Sequence, residues 1–190
     1  VRRVATWAGT AWAAFAVGQA WATAALAGEA PSGLTAPFGL AWGPIDRVPR
    51  PLKADREANL TALYYPQGWG PAVGAGTALV VLVVCRDEGL QQVIWVGMPL
   101  DGEELAQARR AIREEGVRRY GEPERGPSAD AEVWPGGQAL LASRATPDGR
   151  RELVMAAYGP GYAACSESHR GQTGHVAGAH VADLFGSADP

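Results

Sequence analysis

Ala78-Leu79-Val80-Val81-Leu82-Val83-Val84-Cys85 decides the fold. The run is apolar from end to end and mostly β-branched, too short for a typical helix and too branched to favour one, so it reads as a strand. Arg86-Asp87-Glu88-Gly89 follows as a turn, and Leu90 to Val96 returns as a second strand, a β-hairpin with a Gly-containing loop. A sheet with one wet face should alternate apolar and polar residues. These strands do not. Val80, Leu82 and Val84 oppose Leu79, Val81 and Val83, and Val93 with Trp95 opposes Ile94 with Val96. Both faces therefore need covering. The cover is either an N-terminal segment carrying Phe38, Leu40, Trp42 and Leu52, or a protein partner, a second copy or an apolar ligand held at an open sheet face.

Downstream, Asp101 opens the clearest helix. Glu104 three residues later makes a capping-box pattern, with acids in the first turn. Leu105, Ala108, Ile112, Gly116 and Tyr120 share one face at helical spacing. Arg109, Arg110, Arg113, Arg118 and Arg119 load the later turns, where the helix dipole favours cations. Gly121 stands where a left-handed terminal residue is wanted, and Pro123 forbids continuation. After a polar link, Ala131 to Trp134 and Gln138 to Ala145 read as strands. Pro147-Asp148-Gly149-Arg150 is a turn, and Leu153 to Tyr158 is the return strand. Upstream, Leu60 to Tyr65 is a strand ended by Pro66. Asp46 to Asn59 reads as a polar loop, and Phe38 to Pro44 as a short first strand closed by Gly-Pro. Strands, one helix and strands again, joined by hairpins, predict an α+β domain. Its mostly antiparallel sheet carries one main amphipathic helix on one face, a two-layer sandwich.

The flanks are of a different kind. Arg2 and Arg3 precede a charge-free, Ala-rich run from Val4 to Gly28, and Ala25-Leu26-Ala27 offers the small residues that a signal peptidase reads. Residues 1–27 are thus expected to be a secretory signal peptide, with any membrane contact confined to an uncleaved leader. Residues 28–37 then form a flexible Gly/Pro/Ser linker, 38–160 the α+β domain, and 161–190 a loosely ordered tail of Gly, Ser, His and Ala. Val1 in place of Met fits a valine initiation codon and a bacterial gene. A periplasmic or secreted location follows. The 190 residues carry 17 Lys+Arg against 20 Asp+Glu, a net charge of -3, so no basic footprint for nucleic acid exists.

Most catalytic signatures are missing from the chain. No Gly-x-Ser-x-Gly elbow, Walker A loop, His-Glu-x-x-His or dinucleotide fingerprint occurs, so action by binding is expected and no cofactor is implied. Asn59-Leu60-Thr61 fits a glycosylation sequon that a bacterial chain makes accidental. Glu103, Glu104, Glu114 and Glu115 read as a solvated helix face and not as an acid–base pair. Two groups remain. His169, His175 and His180, the only three histidines, lie close together near Cys165 and are candidate metal ligands, although their spacing matches no zinc pattern. Cys85 and Cys165 are the only cysteines, and in an oxidising compartment an even count predicts a disulfide between them.

Phe38-Gly39-Leu40-x-Trp42-Gly43, the helix ending Tyr120-Gly121-Glu122-Pro123, Trp134 and the strand Leu153 to Tyr158 together resemble a pattern found in small exported (periplasmic) bacterial α+β proteins. The resemblance implies export and a two-layer fold, and it brings no functional residues. Pro44 departs from it, because that pattern opens a helix there. The function expected is that of an envelope binding or interaction module, the alternative being metal handling through the His- and Cys-containing tail.

Overall fold

The computed structural model describes residues 35–175, apart from Arg47, Val73, Pro127 and Ala129. The expected signal peptide, residues 28–34 of the linker, and residues 176–190 of the tail with His180 lie outside the described residues. The strands are β1 (Lys53–Glu57), β2 (Leu60–Pro66), β3 (Thr77–Cys85), β4 (Gly89–Gly97), β5 (Glu124–Arg125), β6 (Glu132–Val133), β7 (Ala139–Ala145) and β8 (Arg151–Tyr158). The two helices are α1 (Gly102–Tyr120) and α2 (Tyr162–Thr173). The fold is α+β, dominated by one eight-stranded antiparallel sheet in the order β1-β2-β3-β4-β8-β7-β6-β5.

The deciding run sits near the middle of this sheet, and its register sorts its side chains. Leu63 pairs with Leu82, Leu82 with Val93, and Val80 with Trp95. Those side chains join Met155, Leu141 and Leu153 in one apolar cluster under Ala108 and Ile112 of α1, with Trp134 wholly buried among them. On the opposite face Val81, Val83, Ile94, Val96, Val154 and Ala156 form a second cluster, with Cys165 and Tyr162 of α2 packed against it. The lack of alternation is thus realised as a core on each side of the sheet.

Several expectations are corrected. The N-terminal segment packs on the first face, which α1 also covers, and not across the second: Phe38, Leu40, Trp42, Ile45 and Val48 lie against the first cluster, whereas Leu52 is 61% exposed. Phe38 to Pro44 is no strand. A tight turn at Pro37–Gly39 is followed by isolated bridges, Thr35 to Ala41 and Gly43 to Leu90. The end of the expected linker belongs to the fold, since Ala36 is buried and its amide donates to Leu40 O at 3.0 Å. Asp46 to Asn59 is not all loop, because Lys53–Glu57 pairs along β2. A strand at the sheet edge takes its backbone partners from its neighbour and can keep charged side chains in water.

At the start of α1 the Asp101 backbone is extended as an N-cap should be, yet its side chain makes no capping bond. Gly121 does close the helix, at φ +87, its amide donating to Val117 O at 2.9 Å. The expected loosely ordered tail contains α2. Tyr162, Cys165 and His169 fall at i, i+3 and i+7, one face of a helix, and Gly174 ends it at φ +83. Ion pairs from Arg109 and Arg113 to Glu132, at 2.8 and 2.7 Å, tie α1 to β6. Among the described residues no helix is long and apolar enough to cross a membrane.

Candidate functional site at the disulfide end of the sheet

Cys85 ends β3 and Cys165 lies in the first turn of α2. They form a disulfide with Cα atoms 6.1 Å apart, so the second helix is fastened to the centre of the sheet. Placement of α2 begins one step earlier. β4 carries an irregularity opposite Val83 and Val84, and there the buried Gln91 turns its side chain toward the end of β8. Its Nε2 donates to Glu88 O at 2.8 Å, its Oε1 accepts the Gly161 amide at 2.7 Å, and its carbonyl accepts the Gly159 amide at 2.8 Å. The helix is therefore launched from a clamped loop directly beside Cys85.

Beneath α2 lies the β1–β2 hairpin, whose two turn residues are Ala58 and Asn59. Ala58 adopts φ +49, and Asn59 is buried with both ends of its amide engaged. Asn59 Nδ2 donates to Cys165 O at 3.1 Å and lies 3.7 Å from Cys165 Sγ. Its Oδ1 is 3.1 Å from His169 Nδ1. A buried amide spent in this way is no glycan acceptor, which agrees with the accidental reading of the sequon. His169 is fully buried on α2, and its Nε2 stands 3.4 Å from Glu57 Oε2 at the end of β1. His175, just past Gly174 and largely exposed, places its Nε2 3.5 Å from Glu57 Oε1.

Two of the three histidines singled out from sequence thus meet, and they meet on a carboxylate that sequence reasoning missed. Glu57 lay in a stretch read as loop, with nothing in its surroundings to mark it. Asn59 was seen only as part of a sequon. The one available signal was the helical spacing of Tyr162, Cys165 and His169, which would have put Cys165 and His169 on a common face toward the sheet. Glu88 also approaches, with a carboxylate oxygen and both sulfurs within 4.8 Å of one another, but the sulfurs are spent in the disulfide.

On the other side of the hairpin a cavity of about 320 Å³ opens between Arg56, Asn59, Thr61, Val84, Cys85 and Arg86. Arg56 Nε donates to Thr61 Oγ1 at 3.3 Å, and Arg86 Nη2 to Ala58 O at 2.9 Å, so both guanidinium groups are held at its rim. The remaining polar clusters hold elements together. Asp130 accepts from Ser143 and Arg151 at 2.5 and 2.7 Å. Burial works against its charge, but the Ser143 and Ser128 hydroxyls and the Arg151 guanidinium hold its carboxyl below the usual range. Glu115 is paired with Arg118 and Arg119 along α1, while Glu103, Glu104 and Glu114 face solvent.

The open sheet face meets a plain test in burial. Val81, Val83, Ile94 and Val154 are at most 2% exposed, so this face is core. The large hydrophobic side chains left exposed among the described residues are Leu52 and Trp69, at 61% and 43%. No family model, curated protein or solved structure matches the chain.

Proposed function

We propose that this chain is an exported, disulfide-locked binding module of α+β build, whose ligand is taken at the disulfide end of the sheet. The observation that carries the reading is the pocket between Arg56 and Arg86, since two guanidinium groups held at one pocket suit an anionic group. Burial of both sheet faces moves the expected ligand from an apolar molecule to a small anion or the acidic segment of a protein partner. The disulfide supports an oxidising, periplasmic or secreted setting.

An amide and guanidinium NMR titration with inorganic phosphate and, separately, with an acidic hexapeptide tests the reading. Shifts confined to Arg56, Asn59, Thr61 and Arg86, and lost in the Arg56→Ala/Arg86→Ala variant, are expected. Resonances that stay still with both probes would remove it. A second reading, metal handling, is favoured by a different observation: His169 and His175 both face the Glu57 carboxylate.

A further inference from the structure

We propose that closure of the Cys85–Cys165 disulfide licenses the pocket between Arg56 and Arg86: the oxidised chain takes an anion there, and the reduced chain takes it far more weakly. The inference rests on the anion-binding reading above and adds the regulation of that site.

The pocket and the disulfide lie on opposite faces of the sheet. Arg56 pairs with Thr61 and Thr61 with Val84, so these three side chains share the pocket face. Glu57, Leu60 and Cys85, paired in the same way, share the face that α2 covers. What joins the two faces is the β1–β2 turn. On the α2 side, Asn59 Nδ2 donates to Cys165 O at 3.1 Å, and its Oδ1 is 3.1 Å from His169 Nδ1. On the pocket side, the Asn59 carbonyl accepts the Arg86 amide at 2.8 Å, and the Ala58 carbonyl accepts Arg86 Nη2 at 2.9 Å. Arg86 follows Cys85 in the chain. The bridge, the Asn59 side chain and the Arg86 hydrogen bonds therefore close one ring of connections.

The turn needs that ring to keep its shape. Ala58 sits at φ +49, a left-handed conformation that alanine disfavours and that persists only where the surroundings hold it. Opening the bridge removes the covalent hold on α2, and with it the fixed Cys165 carbonyl against which Asn59 is braced. Ala58 can then relax, and the carbonyl that steers the Arg86 guanidinium moves with it. An anion must afterwards order that guanidinium itself, at a cost in affinity. Cys85 and Cys165 are 1% and 0% exposed, and a Glu88 carboxylate oxygen lies within 4.8 Å of both sulfurs. An attacking thiolate meets neither an open path nor a favourable charge. The bridge is thus a maturation step and not a reversible sensor. Two thiols pass two electrons and two protons to a disulfide-bearing oxidant, which leaves as two thiols, and the pocket is completed in the same event.

The test is calorimetric titration of the chain with inorganic phosphate and, separately, with an acidic hexapeptide, first oxidised and then reduced by a neutral dithiol. Reduction should weaken binding by more than about fivefold, the lower end of ordinary couplings between sites. Amide exchange at Val81 and Ile94 reports whether the reduced chain keeps its sheet. If it does not, His169→Leu in the oxidised chain decides. That change removes a partner of Asn59 on α2 without touching the pocket, and should weaken the same probe while Val81 and Ile94 stay protected. Equal affinity in the oxidised and reduced chains overturns the licence and leaves the anion site standing. Unchanged affinity in His169→Leu, where the reduced chain has unfolded, does the same. Failure of the oxidised chain to bind either probe overturns the anion site, and the licence falls with it.

Discussion

Gly116 shows how closely single residues are fitted. A Cβ added there would lie 2.2 Å from Trp134 Cζ2, and Trp134 is wholly buried with no room to retreat. Gly116→Ala should therefore cost about 1–3 kcal/mol through overpacking. Gly171→Ala in α2, where a Cβ meets nothing within 4 Å, should gain about 0.5–1 kcal/mol from helix propensity. Paired urea melts check both signs. Tyr158 makes a second prediction. Burial, reinforced by the neighbouring Tyr162 ring at 4.7 Å, pushes its phenol up to about 12 from an ordinary 10.0, against a smaller opposing hydrogen bond with Gln92. The fold thus favours the neutral phenol. Its contribution is whole below pH 10 and is lost as pH rises from 10 through 12. Burial raises all five tyrosines, Tyr158 the furthest, so near-ultraviolet titration should show a last-ionising tyrosine that is absent in Tyr158→Phe; a Tyr158 that titrates near 10 contradicts the burial argument. At this scale the sequence revealed residue types and not their neighbours. Gly116 was legible as a member of the α1 face, but that it faces Trp134 depends on a chain reversal through β5 and β6. Glu57 and Asn59 were illegible for the same reason, since each becomes distinctive only when α2 is laid across the hairpin.

Elements were legible to the extent that their own side chains do the burying. β3 and β4 announce themselves because nearly every residue in them enters a core, and α1 because its apolar stripe, arginine-rich end and terminal glycine agree. Ile112 carries a direct test of that stripe. It is 6% exposed beneath the first cluster, while Arg110 faces water. Ile112→Asp leaves a charge desolvated among apolar side chains and should cost several kcal/mol, whereas Arg110→Asp should stay within about 0.5 kcal/mol. Equal melting temperatures would contradict the observed face. β1 and α2 escaped a reading based on apolar pattern because other forces place them. β1 is charged on both sides and is recruited by the edge of β2. α2 carries a short stripe, Tyr162, Cys165 and His169, and owes its position to the Gln91 clamp and to a covalent bond. That bond closes a loop with a sequence separation of 80, so its removal by Cys165→Ala should cost about 4 kcal/mol on the chain-entropy argument, less where the reduced chain keeps residual structure. Denaturant melts with and without the bridge measure it, and a difference under about 1 kcal/mol would mean that α2 holds its place without the bond.

In the whole molecule the two apolar faces of the sheet and its two charged edges form one solution to a single problem. A sheet buried on both sides has only its rims to keep in water, and the rims here are β1, Lys-Ala-Asp-Arg-Glu, and the two-residue β5, Glu-Arg. Charged, short edge strands discourage pairing with another copy. The same arrangement explains why fold class was readable and the candidate site was not. Class follows from the unbroken apolar runs that build the centre, whereas the site lies where a charged rim meets a helix that the apolar pattern did not show. It also grades stability outward. Opening β3 or β4 exposes both cores at once, so their amides should exchange only through global unfolding. β1 contributes almost no buried side chain and pairs on one side only, so its amides should exchange through local opening, by orders of magnitude faster. Native-state hydrogen exchange should therefore place Val81 and Ile94 at the global limit and Ala54 to Arg56 far below it. Reduction of the disulfide sharpens the contrast. α2 is fastened through Cys165 and meets β1 chiefly through His169, Asn59 and Glu57, so breaking the bridge should release protection in α2 and the β1–β2 turn before it reaches the centre of the sheet. Equal loss of protection at Val81 and at His169 on reduction would show that the second core and α2 unfold as one unit, and that the disulfide end is not a separable element of the fold.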